Sequence, residues 1–342
     1  MSHLDRHSRR AFVGLTAGAV LAAPRVLRAQ SPRQVTCLTD WLHQGPNCGF
    51  AVAKEKGFYS QLGLDVALSQ GKGSGSTAQV VANKSSTFGF ADGYVLGNGV
   101  SKGMSLAMVG AVFRRTPTAV IVLEESSIKE PKDLVGKTIG IPTGAAQFQQ
   151  WPAFLHGAGL SGSQIRVVNV DAAGAAPALI GGQVDAIAGF AQGWVPSIEL
   201  RGNKKTRLFW YADYGVNAVS NGIIVHQDTL AEKQLVRDFV RATLKGFLYG
   251  REHADEMAQI IKKYQEASDP ILTKREAELS WNTWVTPTTR NKPLGWMAAE
   301  DWNATVDTLK KYGGVTGELN PSQLYTNEFV PAEAEFIPPQ SV

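Results

Sequence analysis

Short apolar runs alternate with amphipathic stretches along most of the chain. Residues 34–39, 64–68 and 87–91 are short, apolar and rich in β-branched or aromatic side chains, so we predict strands there. Residues 47–56 and 77–83 lie between these runs and are predicted to be helical. Because strands and helices alternate, the pattern predicts a parallel sheet covered by helices.

The same alternation restarts in the middle of the chain. Further strands are predicted at 106–113, 119–123, 137–141, 165–170, 184–188, 206–211 and 221–225, and further helices at 146–155, 175–181 and 192–200. We therefore expect one α/β lobe built from residues 30–115 and 222–342 and a second built from residues 116–221. From residue 228 onward, apolar side chains at three- and four-residue spacing predict a long helix capped by Asp228 or Thr229.

The first 29 residues have the order of a secretory signal. Arg9 and Arg10 precede Phe12, residues 11–23 are apolar and rich in Ala and Gly, and small residues end the segment at Ala29. The arginine pair favours the twin-arginine route, cleavage near Ala29 and a periplasmic location. The competing interpretation is an amphipathic N-terminal helix. The apolar run is shorter than the ~20 residues that span a bilayer.

Charge and residue counts narrow the function classes. The chain carries a net charge of +4, and residues 1–29 alone account for it, so the basic pI does not indicate nucleic-acid binding. The six histidines share no metal-ligand spacing, and no nucleophile elbow with triad partners is present, so neither a metal site nor a catalytic site is predicted. Cys37 and Cys48 are expected to be free and buried, with a single disulfide as the alternative.

Ligands of parallel α/β sheets bind beyond the carboxyl ends of the strands. This rule selects the loops at 40–47, 71–76, 92–94, 143–147, 190–194 and 211–214. The candidate ligand-binding residues in these loops are Asp40, Trp41, Asn47, Gly73, Ser74, Gly75, Ser76, Asp92, Tyr94, Thr143, Gly144, Gln147, Gln192, Trp194 and Tyr214.

Their chemistry favours a flat ligand without strong negative charge. Tryptophan and tyrosine rings can stack on a planar molecule, and carboxylates accept hydrogen bonds from amino or ring N–H groups. The glycine-rich loops before helices can receive a polar acceptor atom, or they are tight connections that require glycine. Asp92 is equally suited to cap a helix. Arg114 and Arg115 lie where the chain crosses between lobes, so a solvated or hinge-pairing role is expected there, with binding of a ligand carboxylate or sulfonate as the alternative.

Several segments resemble the NMT1/THI5-like (SsuA/THI5) family. They are Trp41, AKEKGFY at 53–59, GLDV at 63–66, GKGSGS at 71–76, FGFAD at 88–92, LVGKTIG at 134–140 and GQVDA at 182–186. The resemblance implies a periplasmic binding protein-like type II fold, with two α/β lobes joined by two hinge strands. It also implies a monomeric substrate-binding protein of an ABC transporter, with a small-molecule ligand and a membrane permease as partners. A thiamine-pyrimidine precursor is the first expected ligand, and a sulfonate, taurine or nitrate is the alternative.

The family also contains a fungal enzyme that makes the thiamine pyrimidine. That enzyme uses a lysine and a histidine after its third strand and a cysteine cluster before a later strand. Here the corresponding stretches, FADGYV at 90–95 and NAVSNG at 217–222, have none of these residues. We therefore predict that this chain has no cofactor and is not an enzyme.

Overall fold

Strands and helices alternate through the part of the chain that the computed structural model describes, residues 31–171 and 173–339. The strands are β1 (Arg33–Leu38), β2 (Leu64–Ser69), β3 (Phe88–Asp92), β4 (Leu106–Ala111), β5 (Thr118–Leu123), β6 (Thr138–Gly140), β7 (Arg166–Val168), β8 (Ala186–Phe190), β9 (Thr206–Trp210) and β10 (Asn221–His226). The helices are α1 (Cys48–Glu55), α2 (Ser74–Ala82), α3 (Gly93–Ser101), α4 (Ala146–Gly157), α5 (Ala175–Ile180), α6 (Ala191–Gly202), α7 (Lys233–Glu252), α8 (Ala254–Tyr264), α9 (Pro270–Trp281) and α10 (Ala299–Tyr312). The predicted signal lies outside the described residues.

The strands form two five-stranded sheets. The first has the order β2-β1-β3-β10-β4 and the second the order β7-β6-β8-β5-β9. The chain passes from the first sheet to the second between β4 and β5, and it returns between β9 and β10. The structure therefore has two α/β lobes joined by two crossing segments, and the fold class expected from the sequence is confirmed.

The sheets are mixed, which corrects the expectation of purely parallel sheets. In the first sheet β1 pairs in parallel with β2 and β3, whereas β10 runs antiparallel to both β3 and β4. In the second sheet β5 is antiparallel to β8 and β9. The reversed strands are β5 and β10, which are the first strand after each crossing.

Two helix starts differ from the predicted positions. Helix α2 begins at Ser74, within the glycine-rich loop, rather than at residue 77. Helix α7 begins at Lys233, and neither Asp228 nor Thr229 caps it, because residues 227–231 form a separate 3₁₀ turn. The Nδ1 atom of His226 accepts a hydrogen bond from the Asp228 N–H at 3.1 Å and starts that turn instead.

The long helix α7 packs its apolar face on the first sheet, as its spacing predicts. Val236, Phe239, Val240, Leu244 and Phe247 are all buried in one cluster with residues of β1 and β3. The ring of Phe239 stacks on Phe88 with a centroid distance of 3.7 Å. This packing fixes the first lobe behind the sheet and leaves the carboxyl ends of β1 and β3 facing the second lobe.

Cys37 and Cys48 are free thiols in this first-lobe core. The preferred sequence interpretation of two buried, unpaired cysteines is confirmed. Burial raises the pKa of both thiols above the usual value, so neither is activated as a nucleophile.

Candidate functional site

Loops from both lobes meet around one cavity. The first lobe contributes Asp40, Trp41 and Gln44 after β1, and Gly73 and Ser74 at the start of α2. The second lobe contributes Ala145, Ala146 and Gln147 after β6, and Phe190, Gly193 and Trp194 after β8. These positions follow the carboxyl ends of the strands, as the sheet rule requires.

The cavity is narrow because its walls touch. Its volume is about 40 Å³. Since one water molecule needs roughly 10–15 Å³ of such a volume, the cavity holds only a few water molecules. A ring-sized ligand can therefore enter only after the two lobes have opened.

The two lobes touch each other at two glycine-rich loops. Gly73 has φ +120°, and a Cβ built on it would lie 2.2 Å from the carbonyl oxygen of Gly144. The Gly75 N–H donates to that same oxygen at 3.1 Å. Glycine at position 73 is thus needed both for its backbone conformation and for the contact between lobes.

Two tryptophans from opposite lobes form the apolar walls. Trp194 lies on the first turn of α6 and is 7% exposed, with its ring packed over Gly189 of β8. Trp41 follows β1 of the first lobe and packs against the second-lobe apolar cluster that contains Trp194. The two rings offer planar surfaces on which a flat ligand can stack.

The carboxyl group of Asp40 is the ionisable group in the cavity wall. Its Oδ2 accepts a hydrogen bond from the Asn221 side-chain amide at 2.7 Å. Burial raises the pKa of Asp40 to about 7, repulsion from Asp92 adds to the rise, and the Asn221 bond opposes it. Near neutral pH this carboxyl can therefore either donate or accept a hydrogen bond from a ligand.

Asp92 caps a helix and also connects the lobes. Its Oδ1 accepts from the Tyr94 and Val95 N–H groups at the start of α3, and from the Gln150 amide of α4 at 3.3 Å. Its Oδ2 accepts from the Ser220 hydroxyl at 2.9 Å. Burial raises the pKa of Asp92 to about 6 against these bonds. With every oxygen engaged, Asp92 holds the hinge and does not line the cavity.

Six of the fifteen candidate residues line the cavity: Asp40, Trp41, Gly73, Ser74, Gln147 and Trp194. Asn47, Thr143 and Gly144 belong to the loops next to it, and Gly75 and Ser76 lie in the first turn of α2. The Asn47 amide donates to the Leu42 carbonyl, and the Ser76 hydroxyl donates to the Gly73 carbonyl. The Thr143 N–H donates to the Asn169 side chain. These five shape the loops that carry the lining residues.

Three candidates lie elsewhere. Tyr94 is buried in the first-lobe core with Trp302 and Leu309, because the first turn of α3 points into that core. Tyr214 packs edge-on against Phe154 in the second-lobe core at 5.2 Å. Gln192 lines a different cavity beside the crossing segments, where neither atom of its buried amide has a hydrogen-bond partner among the described residues.

The two adjacent arginines at the first crossing have different roles. Arg114 is buried and donates to the backbone carbonyls of Thr289 and Pro293. Burial lowers the pKa of Arg114 to about 10. Arg115 is exposed and lines the cavity that contains Gln192. Neither guanidinium reaches the cavity between the tryptophans, so an anion there meets no arginine of the described chain.

Sequence reasoning named the loops but missed several of their residues. Gln44, Phe190 and Gly193 lie inside the selected loops, yet no feature of the sequence marks them as lining residues. Gln150 of the second lobe donates a hydrogen bond to the Asp92 carboxyl, and Asn221 of β10 donates one to the Asp40 carboxyl. Their partners are more than 50 residues away in the chain, and spacing carries no signal for such pairs.

Among the described residues, no group of three or more histidine, cysteine or carboxylate side chains is arranged to hold a metal ion. The described residues that line the cavity also include no lysine, histidine or cysteine. None of the described helices combines the length and hydrophobicity needed to cross a bilayer.

Two α/β lobes that are joined by two crossing segments and face each other through their strand-end loops define the periplasmic binding protein fold. The family model described as NMT1/THI5 like matches residues 46–257. The chain belongs to this family.

Relatives that are similar in sequence are named for different functions. The chain is 26% identical over 328 residues to the riboflavin-binding protein RibY of Chloroflexus aurantiacus, covering 92% of this chain and 91% of the relative. It is 25% identical to the formylaminopyrimidine-binding protein of Halalkalibacterium halodurans, covering 80% and 84%. It is also 24% identical to a 4-amino-5-hydroxymethyl-2-methylpyrimidine phosphate synthase of Legionella pneumophila, covering 87% and 92%.

Solved structures show the same fold. The alkanesulfonate-binding protein SsuA from Xanthomonas axonopodis, bound to MOPS, superposes with a TM-score of 0.67 at 17% identity. The match covers 87% of this chain and all of that one. At this identity the likeness concerns the fold alone.

Proposed function

We propose that this protein is the substrate-binding component of an ABC importer and holds a planar, uncharged heteroaromatic compound between its lobes. A thiamine-pyrimidine precursor is the first expected ligand. The observation that carries the proposal is the cavity shared by both lobes, with Trp41 and Trp194 as apolar walls and the Asp40 carboxyl as its polar group. Rings stack on tryptophan, and the carboxyl pairs with a ring nitrogen or an amino group.

The cavity chemistry separates this proposal from its alternatives. A sulfonate or nitrate would face the Asp40 carboxyl with no arginine or lysine among the described lining residues. An enzyme of this family that binds its cofactor covalently needs a lysine in the cavity, and the described lining residues include none. The names of the riboflavin-binding and formylaminopyrimidine-binding relatives agree with a heteroaromatic ligand. The synthase-named relative is the reason to test for catalysis directly.

Location and partners complete the proposal. The signal-like first 29 residues direct the chain to the periplasm by the twin-arginine route. There a monomer with its lobes closed on the ligand would dock on a membrane permease. Closure around a ligand is an established hinge motion of periplasmic binding proteins.

Calorimetric titration with a small panel of compounds tests the function. The panel contains 4-amino-5-hydroxymethyl-2-methylpyrimidine, its formylamino analogue, riboflavin and taurine. We expect at least one of the three heteroaromatic compounds to bind and taurine not to bind. Taurine binding alone would contradict the proposed ligand class. Adding pyridoxal phosphate supplies the enzyme test, since a stoichiometric Schiff-base absorbance band would contradict a purely binding role.

Tryptophan substitutions locate the binding in this cavity. In Trp41→Ala and Trp194→Ala we expect the Kd of the bound heteroaromatic compound to rise about tenfold or more, because stacking contributes ~0.5–1.5 kcal/mol beyond burial. Trp296→Ala is the matched control, since Trp296 contacts Lys292 and does not line the cavity. Unchanged affinity in both test variants would remove the two rings from the site.

A further inference from the structure

A second cavity adjoins the first and shares part of its wall. Gln44, Gly193 and Trp194 line both cavities. The second cavity is lined by residues of α6 in the second lobe and by residues between 265 and 276 in the first lobe. Its volume is about 200 Å³, five times that of the first cavity.

Its walls carry buried polar groups with few partners in the protein. Nδ1 of His43 and the hydroxyl of Ser268 have no hydrogen-bond partner among the described residues. The Glu276 carboxyl is 6% exposed, and the hydrogen bond found for it is a long one of 3.4 Å from the Gly45 N–H. Leaving such groups unpaired is unfavourable, so a cavity that collects them is suited to a ligand with several hydrogen-bonding atoms.

The charge state of these groups determines which ligand atoms suit them. Burial raises the pKa of Glu276 to about 8, and burial lowers the pKa of His43 to about 4. At neutral pH both side chains are therefore uncharged, and each offers one donor and one acceptor. The Ser268 hydroxyl does the same. Two charged residues, Arg201 and Asp269, also line the cavity; Arg201 is exposed, and the Asp269 carboxylate caps α9.

We propose that this second cavity is a subsite for an uncharged, hydroxyl-bearing chain attached to the ring that the first cavity holds. A hydroxyl group both donates and accepts a hydrogen bond, so it can pair with the donor or the acceptor of Glu276, His43 and Ser268. An anionic or cationic substituent would lack a charged partner at these three groups. The inference rests on the proposed function. Within that ligand class it favours a planar heteroaromatic ring with a short polyhydroxylated side chain over the pyrimidine precursor named first.

The test compares two flavins that share a ring and differ in the chain. Riboflavin carries a tetrahydroxylated chain where lumiflavin carries a methyl group, and quenching of flavin fluorescence measures the binding of each. We expect riboflavin to bind at least tenfold more tightly than lumiflavin, because several hydroxyls pair with otherwise unpaired groups.

Variants assign that preference to the second cavity. Ser268→Ala removes a hydroxyl for which the described part of the chain offers no hydrogen-bond partner, so it should leave the fold intact and reduce the riboflavin preference several-fold. Glu276→Gln keeps one donor and one acceptor and should retain most of the preference. Ser101→Ala, on the surface of α3, is the control and should leave both affinities unchanged.

Each outcome has a distinct consequence. Equal affinities for the two flavins, or binding of a pyrimidine compound without riboflavin, would overturn the subsite and leave the proposed function in place. A riboflavin preference that survives unchanged in Ser268→Ala and disappears in Glu276→Gln would also overturn it, because the cavity would then require a carboxylate. Failure of every heteroaromatic compound to bind would overturn the proposed function itself.

Discussion

At the scale of single residues, the most consequential feature is a carboxyl group whose proton is retained near neutral pH. Asp40 has its pKa raised from 3.8 to about 7 by burial. Between these values the folded protein binds more protons at this site than the unfolded chain, so the free energy of unfolding falls as pH rises. The loss begins near pH 4 and is complete once the pH exceeds 7.

Asp40→Asn tests this, because the amide mimics the protonated acid and can still accept the Asn221 hydrogen bond. We expect the variant to gain about 2–3 kcal/mol relative to wild type between pH 5 and pH 7.5, measured by urea unfolding at both values. Asp65→Asn, which changes an exposed carboxylate on β2, should show no such gain. An Asp40→Asn curve parallel to wild type would show that the carboxyl is ionised at pH 5.

The sequence could reveal Asp40 and Trp41 because both directly follow a strand, where sheet topology concentrates ligand-binding residues. The sequence could not reveal whether the side chains of Tyr94 and Gln192 point into the cavity or into the core. Both stand in the first turn after a strand, and a rotation of about 100° per residue decides whether such a side chain meets the cavity or the core. That rotation is fixed by packing against α10 and α9, which lie far along the chain.

At the scale of elements, the start of α2 shows how a contact between lobes sets a local structure. The sequence Ser74-Gly75-Ser76 has weak helix propensity, so the predicted helix began three residues later. In the structure these residues are helical because Gly73 lies against Gly144 and the Gly75 N–H is satisfied by the Gly144 carbonyl. Strongly periodic elements such as α7 needed no such information.

Gly73→Ala is predicted to affect the ligand as well as stability. A left-handed or similarly strained backbone costs a non-glycine residue about 1–3 kcal/mol, and the new Cβ would also collide with the Gly144 oxygen and hold the lobes apart. We expect a comparable loss of stability in the control Gly63→Ala, whose φ is +71° with nothing within 4 Å of the added Cβ. Only Gly73→Ala should weaken ligand binding, by about tenfold in calorimetry. Equal affinities in the two variants would contradict a role for this contact in closure.

At the scale of the whole molecule, alternation of strands and helices was enough to predict two lobes and two crossings. It was not enough to predict how the lobes meet. The contacts between them are side-chain pairs from distant segments, such as Asp92 with Gln150 and Asn98 with Gln149. The direction of β5 and β10 likewise followed from the crossings rather than from any local pattern.

These contacts set the balance between open and closed lobes, because a ligand can shift that balance only by its differential affinity for the two states. The Asn98 amide on α3 donates to the Gln149 side chain on α4 at 2.9 Å. A hydrogen bond of this kind has a net worth of ~0.5–1.5 kcal/mol, and losing it disfavours the closed state by that amount.

In Asn98→Ala we therefore expect a larger radius of gyration in X-ray scattering without ligand, and a Kd for the bound heteroaromatic compound raised about two- to tenfold. Ser101→Ala is the control on the same helix, since its hydroxyl bonds within the first lobe to the Asn98 carbonyl. If Asn98→Ala and Ser101→Ala have the same radius of gyration and the same affinity, closure does not depend on this pair, and the balance lies with the glycine loops and the Asp92–Gln150 bond instead.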